Sequence, residues 1–394
     1  MSRKIRLGDI ASFQRGLTYS KGDEVASSSK IVLRSNNIDL DTHSLDLSEL
    51  KYLREDFVIP DDRKVKKDTI FICMSNGSKQ HVGKVAYIDR DMQYAFGGFM
   101  GLIVPDASVS AKYVYYACNS ASYRTFLSQI GNGIGITNLR FSDLERFELP
   151  VPSIEKQRSI VDELDLLSNI IEDKNEQLRD LDAIAQSIFY EMFGDPIAND
   201  KGWKICSVGD LCTEVKYGTS RPSSPDGKYD YIRMNNLTYS GELDFTDLKK
   251  IDIPDEELGK CIVRKGDVLF NRTNSLDLIG KTALYTLDEP MVIAGYIIRV
   301  RLDDNRMNPN YFVQFMNLPS SKKMLRKMAK GAVNQANINS KELQSIKLPC
   351  PPLDKQLKYA SICDSIRKQK AEIFLSVNDI GKLLSSRMDY YFND

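Results

Sequence analysis

Histidine is nearly absent from this sequence: His43 and His81 are the only two in 394 residues, and there is a single tryptophan. Neither histidine has a recognisable cysteine or aspartate partner at metal-ligand spacing. The seven cysteines (Cys73, Cys118, Cys206, Cys212, Cys261, Cys350 and Cys363) form no CxxC pair. Neither a zinc site nor a disulfide framework is expected, and the thiols should be buried and reduced. No apolar run approaches a membrane span, and the opening MSRKIRLGDIASF has no signal-peptide core, so a cytoplasmic protein with no membrane partner is expected. Catalytic signatures are missing as well. There is no Asn/Asp-Pro-Pro-aromatic motif for amino-methylation, no helicase motif and no nuclease carboxylate–lysine cluster. On these absences no catalytic role is expected of this chain.

Net charge is also lacking: 54 basic side chains balance 54 acidic ones. The balance is uneven along the chain. Residues 155–193 carry ten acids and four bases, and residues 354–394 carry six acids and seven bases, which leaves +5 on the remainder. The basic surplus lies outside the most acidic stretch, a distribution that permits a nucleic-acid partner.

That acidic stretch is the strongest pattern present. After Pro150 and Pro152, Ser153 is placed to cap a helix. Ile160, Leu164, Leu167, Ile171, Leu178, Leu181, Ala185, Ile188 and Met192 then follow at spacings of three and four, with Lys174 as the one interruption. This is a coiled-coil seam. Gly194 and Pro196 end it. A helix of about 38 residues is roughly 57 Å long, the length of a spacer.

The chain also repeats itself. LGDIASF at Leu7–Phe13 returns as VGDLCTEV at Val208–Val215, and VKKDTIFICMSN from Val65 returns as VRKGDVLFNRTN from Val263. VGKVAYI from Val82 returns as IGKTALY from Ile279, and LPVPSIEKQ ending at Gln157 returns as LPCPPLDKQ ending at Gln356. A period near half the chain length means a duplicated architecture. A second helix is expected from about Asp354 to Tyr391, seamed by Ile362, Ile366, Ile373, Val377, Ile380 and Leu384 and weakened by Gly381. Because a globular part follows the first helix at once, the second must run back beside it, giving an antiparallel pair with a pseudo-two-fold relation. The expected division is a first recognition domain over 1–150, a helix over 151–195, a second domain over 196–349 and a C-terminal helix over 350–394. The fold class is α/β (mixed α+β): strands such as DTIFICM and DVLFNR, with helices over 110–130 and 309–330. Strand order is not readable.

With its duplicated halves, its two proline-rich junctions ending in Gln157 and Gln356 and its MFGDP helix stop, the chain resembles the specificity (S) subunit of Type I restriction–modification enzymes. The resemblance implies a non-catalytic subunit whose two target-recognition domains each read half of a split, asymmetric double-stranded DNA target. It implies helices that set the gap and dock two methyltransferase (M) subunits, which restriction (R) subunits join to form the endonuclease complex. It implies no cofactor on this chain, with S-adenosylmethionine, ATP and Mg on partner subunits. The alternative is a stand-alone coiled-coil DNA-binding regulator or scaffold with no enzyme partner. Two readers roughly 50 Å apart suit sites one or more 34 Å turns apart on one face of a duplex.

Several stretches have the side chains that DNA contact requires. Arg34, Asn36 and Asn37 pair with Arg233, Asn235 and Asn236; Arg reads guanine and Asn adenine, although the same asparagines could simply shape a turn. Ser75, Asn76, Ser78 and Lys79 follow a strand in the first copy, as Asn271, Arg272, Thr273 and Asn274 do in the second. A Gly-rich segment with Asn132, followed by Arg140, matches one with Asn334 and Gln335, where glycines admit phosphate but a plain loop is the competing reading. Lys322, Lys323, Arg326, Lys327 and Lys330 form a cationic face at helical spacing, suited to a duplex backbone or merely to solvent. Gly280-Lys281-Thr282 mimics the end of a Walker motif but lacks the leading glycine, and is expected to be structural.

Overall fold

The computed structural model describes residues 4–40, 42–130, 137–332 and 335–393. It divides into two compact units, Met1–Lys174 with Leu375–Asp394, and Asn175–Phe374. Each unit holds one copy of the repeat and one half of each of two 40-residue helices, Ile154–Phe193 and Leu353–Phe392. The second helix runs unbroken through Gly381, so that glycine does not shorten it.

The core of each copy is a four-stranded antiparallel sheet. In the first copy the order is Ala11–Arg15, Met100–Pro105, Thr69–Cys73, Val85–Ile88. In the second it is Cys212–Tyr217, Ile297–Leu302, Val268–Asn271, Thr282–Leu284. The order is identical, as a duplicated sequence requires. The central strand Thr69–Cys73 is buried at every position, matching its continuous apolar run. A smaller mixed sheet sits beside each, containing Lys30–Leu33 paired in parallel with Ala95–Phe96 in one copy and Tyr229–Ile232 with Met291–Ile293 in the other. Each helical stretch expected as a single piece is two helices: Ala111–Ala117 and Ala121–Ile130, then Pro309–Asn317 and Pro319–Met328. In the second copy Pro319 accounts for the break, because it starts a new helix and lacks the N–H to continue the old one.

The proline-rich junctions have a mechanical role. Gln157 is buried and accepts from the Ser110 amide at 2.8 Å while donating to the Pro152 carbonyl at 2.9 Å. Gln356 does the same with the Asn308 amide at 2.8 Å and the Pro351 carbonyl at 2.8 Å. Tyr113 and Tyr311 donate to the carbonyls of Pro150 and Pro349, at 2.7 and 2.9 Å. Each long helix is thereby locked to its domain at the first turn.

Within each unit the two helix segments run antiparallel. In the first, Lys156 lies over the Tyr391 ring and Glu163 binds Arg387. In the second, Asp182 binds Lys370 at 2.7 Å and the Ala185 carbonyl accepts from Tyr359 at 3.1 Å. Ile160, Val161 and Leu164 pack into the first domain core with Met388 and Phe392. Phe189 and Phe193 pack against Tyr311 and Tyr359 with ring centroids 4.8 to 5.6 Å apart. All seven cysteines are free thiols. Among the described residues no helix is long and apolar enough to cross a membrane.

Candidate nucleic-acid interface

The first unit has a cleft of about 780 Å³ at the carboxyl end of its central strand. Arg34, Ser35 and Asn36 form one wall, Ser75, Asn76 and Gly77 a second, and Gly97, Gly98 and Phe99 a third, with Tyr19, Glu24 and Glu49 also lining it. Three segments far apart in sequence therefore converge. Asn76 Nδ2 donates to Ser35 Oγ at 2.8 Å and its Oδ1 accepts from the Ser78 amide at 2.8 Å, so the loop is ordered from within. Ser75 Oγ donates to the Thr137 carbonyl at 3.0 Å. Ser78 and Lys79 are exposed. Burial pushes the Tyr19 phenol above its ordinary value, with Arg34 opposing, so it is a neutral hydroxyl at pH 7. Arginine and amide donors mixed with carboxylates suit base edges, which present both acceptors and donors, better than a run of phosphates.

Not every sequence candidate survives as a reader. Asn37 and Asn236 are buried. Asn37 Oδ1 accepts from the Arg34 amide at 2.8 Å, and its Nδ2 donates to the Asp46 and Glu49 carbonyls at 2.8 and 2.9 Å. Asn236 repeats this with Arg233, Asp244 and Asp247, at 2.8, 2.9 and 3.3 Å. Both asparagines shape the turn, and their amides are occupied. Asn235 is exposed, and Asn36 is half-buried at the cleft with its Nδ2 donating to the Glu49 carbonyl at 3.2 Å. Arg233 is held by Asp247 at 2.8 Å.

The second loop is also corrected in part. Asn271 is fully buried, donating to the Thr273 and Tyr296 carbonyls at 3.2 Å each and accepting from Asn274 at 2.9 Å. Thr273 donates to Asn337 Oδ1 at 2.9 Å. Asn271 and Thr273 build the loop and do not face outward; Asn274 is half-buried and accepts from the Ser275 amide at 2.9 Å. Arg272 stacks its guanidinium 4.9 Å from the Tyr217 ring centroid. The Nε atoms of Arg34 and Arg233, which hold the same place in the two copies, are buried without a hydrogen-bond partner among the described residues, and so is that of Arg272, whose counterpart in the first copy is Met74.

The cationic face shrinks. Lys322 is buried, its ammonium bonded to the Gly280 carbonyl at 2.5 Å and Asn317 Oδ1 at 2.7 Å. Burial lowers its pKa to about 7, helped by Arg326 and Lys281. Lys323, Arg326 and Lys327 are exposed on Pro319–Met328. Lys330 lies beyond the helix in a strand and pairs with Glu342 at 2.6 Å. Gln335 is exposed in the strand Gln335–Asn337, which pairs with Lys330–Ala332, so the expected loop is strand-paired on both flanks. Arg140 is exposed as the cap of a one-turn helix. Asn132 and Asn334 lie outside the described residues. Gly280-Lys281-Thr282 is a turn into a strand, with Thr282 Oγ1 donating to the Gly280 carbonyl at 3.0 Å. Among the described residues no three His, Cys, Asp or Glu side chains converge to hold a metal.

Sequence reasoning missed Tyr19, Glu24, Glu49 and Phe99 in the cleft. For Phe99 a signal existed: FGGFMG in the first copy aligns with IAGYII in the second, placing Phe99 on Tyr296.

A family model for the Type I restriction modification DNA specificity domain matches residues 2–180 and again 200–373, once per copy of the repeat. The chain belongs to this family. This specificity subunit is 23% identical over 397 residues to the Type I restriction enzyme EcoKI specificity subunit of Escherichia coli K12, covering 94% of this chain and 84% of the relative. It is 23% identical over 401 residues to the StySPI specificity subunit of Salmonella potsdam, with the same coverage of 94% and 84%. Its fold resembles the crystal structure of the S subunit from M. genitalium, with a TM-score of 0.53 at 14% identity over 100% of this chain and 96% of that one. A chain from a study of complex assembly and conformational transition in a type I R-M system gives a TM-score of 0.52 at 17% identity, covering 98% and 96%. The specificity subunit is a non-catalytic DNA-recognition protein with two target-recognition domains. A stand-alone regulator is not supported.

Proposed function

We propose that each recognition domain reads one half of a split, asymmetric duplex target, with domain limits near 1–150 and 196–349. The two 40-residue helices set the gap between half-sites and dock two methyltransferase subunits, to which restriction subunits attach. S-adenosylmethionine, ATP and Mg are bound by those partners, in the cytoplasm. The observation that carries the reading is the cleft at the end of Thr69–Cys73, where Arg34, Asn36, Ser75 and Asn76 converge with the exposed Ser78 and Lys79 beside them. Arg233 and Asn235 hold the matching places in the second domain, where Arg272, on the loop after the central strand, reaches the Gly295 carbonyl, with Lys323, Arg326 and Lys327 as phosphate contacts. Related but different side chains at matching places predict two different half-sites.

The test is methylation mapping of cells with and without this gene. A split methylation motif lost with the gene supports the reading; an unchanged set of modified motifs refutes it.

A further inference from the structure

Phe99 and Tyr296 are large aromatic residues left 74% and 53% exposed. They hold the same place in the repeat, at the turn that feeds the sheet strands Met100–Pro105 and Ile297–Leu302. Their backbones are fixed. The Phe99 carbonyl accepts from the amides of Met74 and Ser75 at 2.8 and 3.1 Å. The Tyr296 carbonyl accepts from the Arg272 amide at 2.9 Å and from Asn271 Nδ2 at 3.2 Å. Each turn closes on itself, Met100 N to the Gly97 carbonyl and Ile297 N to the Ala294 carbonyl, both at 2.8 Å. Behind each turn a glycine makes a close backbone approach. A Cβ on Gly16 would lie 2.0 Å from the Gly97 carbonyl oxygen, and one on Gly218 would lie 2.2 Å from that of Ile293.

A ring on so rigid a mount, largely out of the core, contributes little to folding, yet both copies place one there. In each case the carbonyl behind the ring is bonded to the loop that carries the polar candidates. We propose that Phe99 and Tyr296 are base-contacting residues, each ring packing against bases of its own half-site. An apolar ring makes contacts that hydrogen-bonding side chains cannot, on a thymine methyl or an opened base step. A mount held by hydrogen bonds loses little further freedom on binding. This rests on the reading that the loops at 75–79 and 271–274 face DNA.

The experiment uses the full chain assembled with its methyltransferase subunits. Binding is measured to a duplex bearing the mapped modification motif and to a scrambled duplex of equal length. The variants are Phe99→Ala, Phe99→Tyr, Tyr296→Ala and Tyr296→Phe, with Asn76→Ala and Arg272→Ala alongside. Each ring-to-alanine change should lower affinity for the motif by about tenfold or more. Affinity for the scrambled duplex, assembly and melting temperature should hold, and Phe99→Tyr and Tyr296→Phe should keep motif binding. Normal motif binding by the alanine variants overturns the proposal. So does an equal loss on both duplexes, and so does failed assembly, which would assign the rings to a protein partner. Loss with Asn76→Ala and Arg272→Ala but not with the ring variants leaves the loop reading standing and removes this one. The reverse pattern supports the ring contacts and removes only Asn76 and Arg272 as readers, and no loss in any variant removes both readings.

Discussion

Asn76 Nδ2 donates to the Ser35 hydroxyl at 2.8 Å, which ties the loop after the central strand to the turn that carries Arg34 and Asn36. The bond connects residues 41 apart in sequence, in the part of the domain that lines the cleft.

Replacing Asn76 with alanine removes this bond and the one to the Ser78 amide. About 2 kcal/mol of stability should be lost, since each of the two neutral hydrogen bonds is worth about 1 kcal/mol net. Thermal melting should fall by a few degrees while affinity for the target duplex falls further. Binding that merely follows the melting change would make Asn76 a structural residue.

Phe193→Ala tests the docking of the first long helix on the second domain. Phe193 is buried and packs on Tyr311 and Tyr359 at 4.8 and 5.6 Å. The cavity should cost about 3–5 kcal/mol, read as a large drop in denaturant midpoint. A change under about 1 kcal/mol would contradict the packing.

Much of this was legible in advance because it rests on periodicity. The spacing from Ile160 to Met192 is a local property, so the helix Ile154–Phe193 could be read directly. The repeat carried the rest, because the same residues recur at Gln157 and Gln356. The side-chain roles were less legible. Asn36 and Asn37 are adjacent, chemically identical and both donate to the Glu49 carbonyl, yet one borders the cleft and the other is buried. Lys322 is in step with Lys323 and Arg326 on a helical wheel, but Asn317 and the Gly280 carbonyl draw it inward. Such partners are set by tertiary contacts that spacing does not encode. The break at Leu318 was foreshadowed by Pro319.

Glu163 gives a pH prediction. Hydrogen bonds from Arg387 and then Tyr391 hold its carboxyl below the ordinary value of 4.5. A carboxylate whose folded value is depressed adds stability that is fully present above its unfolded value and is lost as pH falls through the folded one. The contribution should therefore persist at pH 7 and disappear below about 4.5. Glu163→Gln should lower the melting temperature at pH 7 and flatten its dependence on pH in the acid range. An unchanged acid profile would show that the pair contributes nothing.

Gly218→Ala tests the mount beneath Tyr296. The new Cβ would meet the carbonyl oxygens of Ile293 and Ala294 at 2.2 and 2.3 Å, so backbone must move. A loss of about 1–3 kcal/mol is expected, as for overpacking elsewhere, with weakened binding to the target. Melting and binding equal to those of the unaltered chain would mean that the close approach is not needed.

The central claim is that the two domains read their half-sites separately. The most direct measurement is methylation mapping in cells where residues 1–150 are exchanged for the first recognition domain of another family member. One half of the motif should change, while the other half and the number of bases between them stay as they were. A motif altered in both halves, or in neither, would contradict the account.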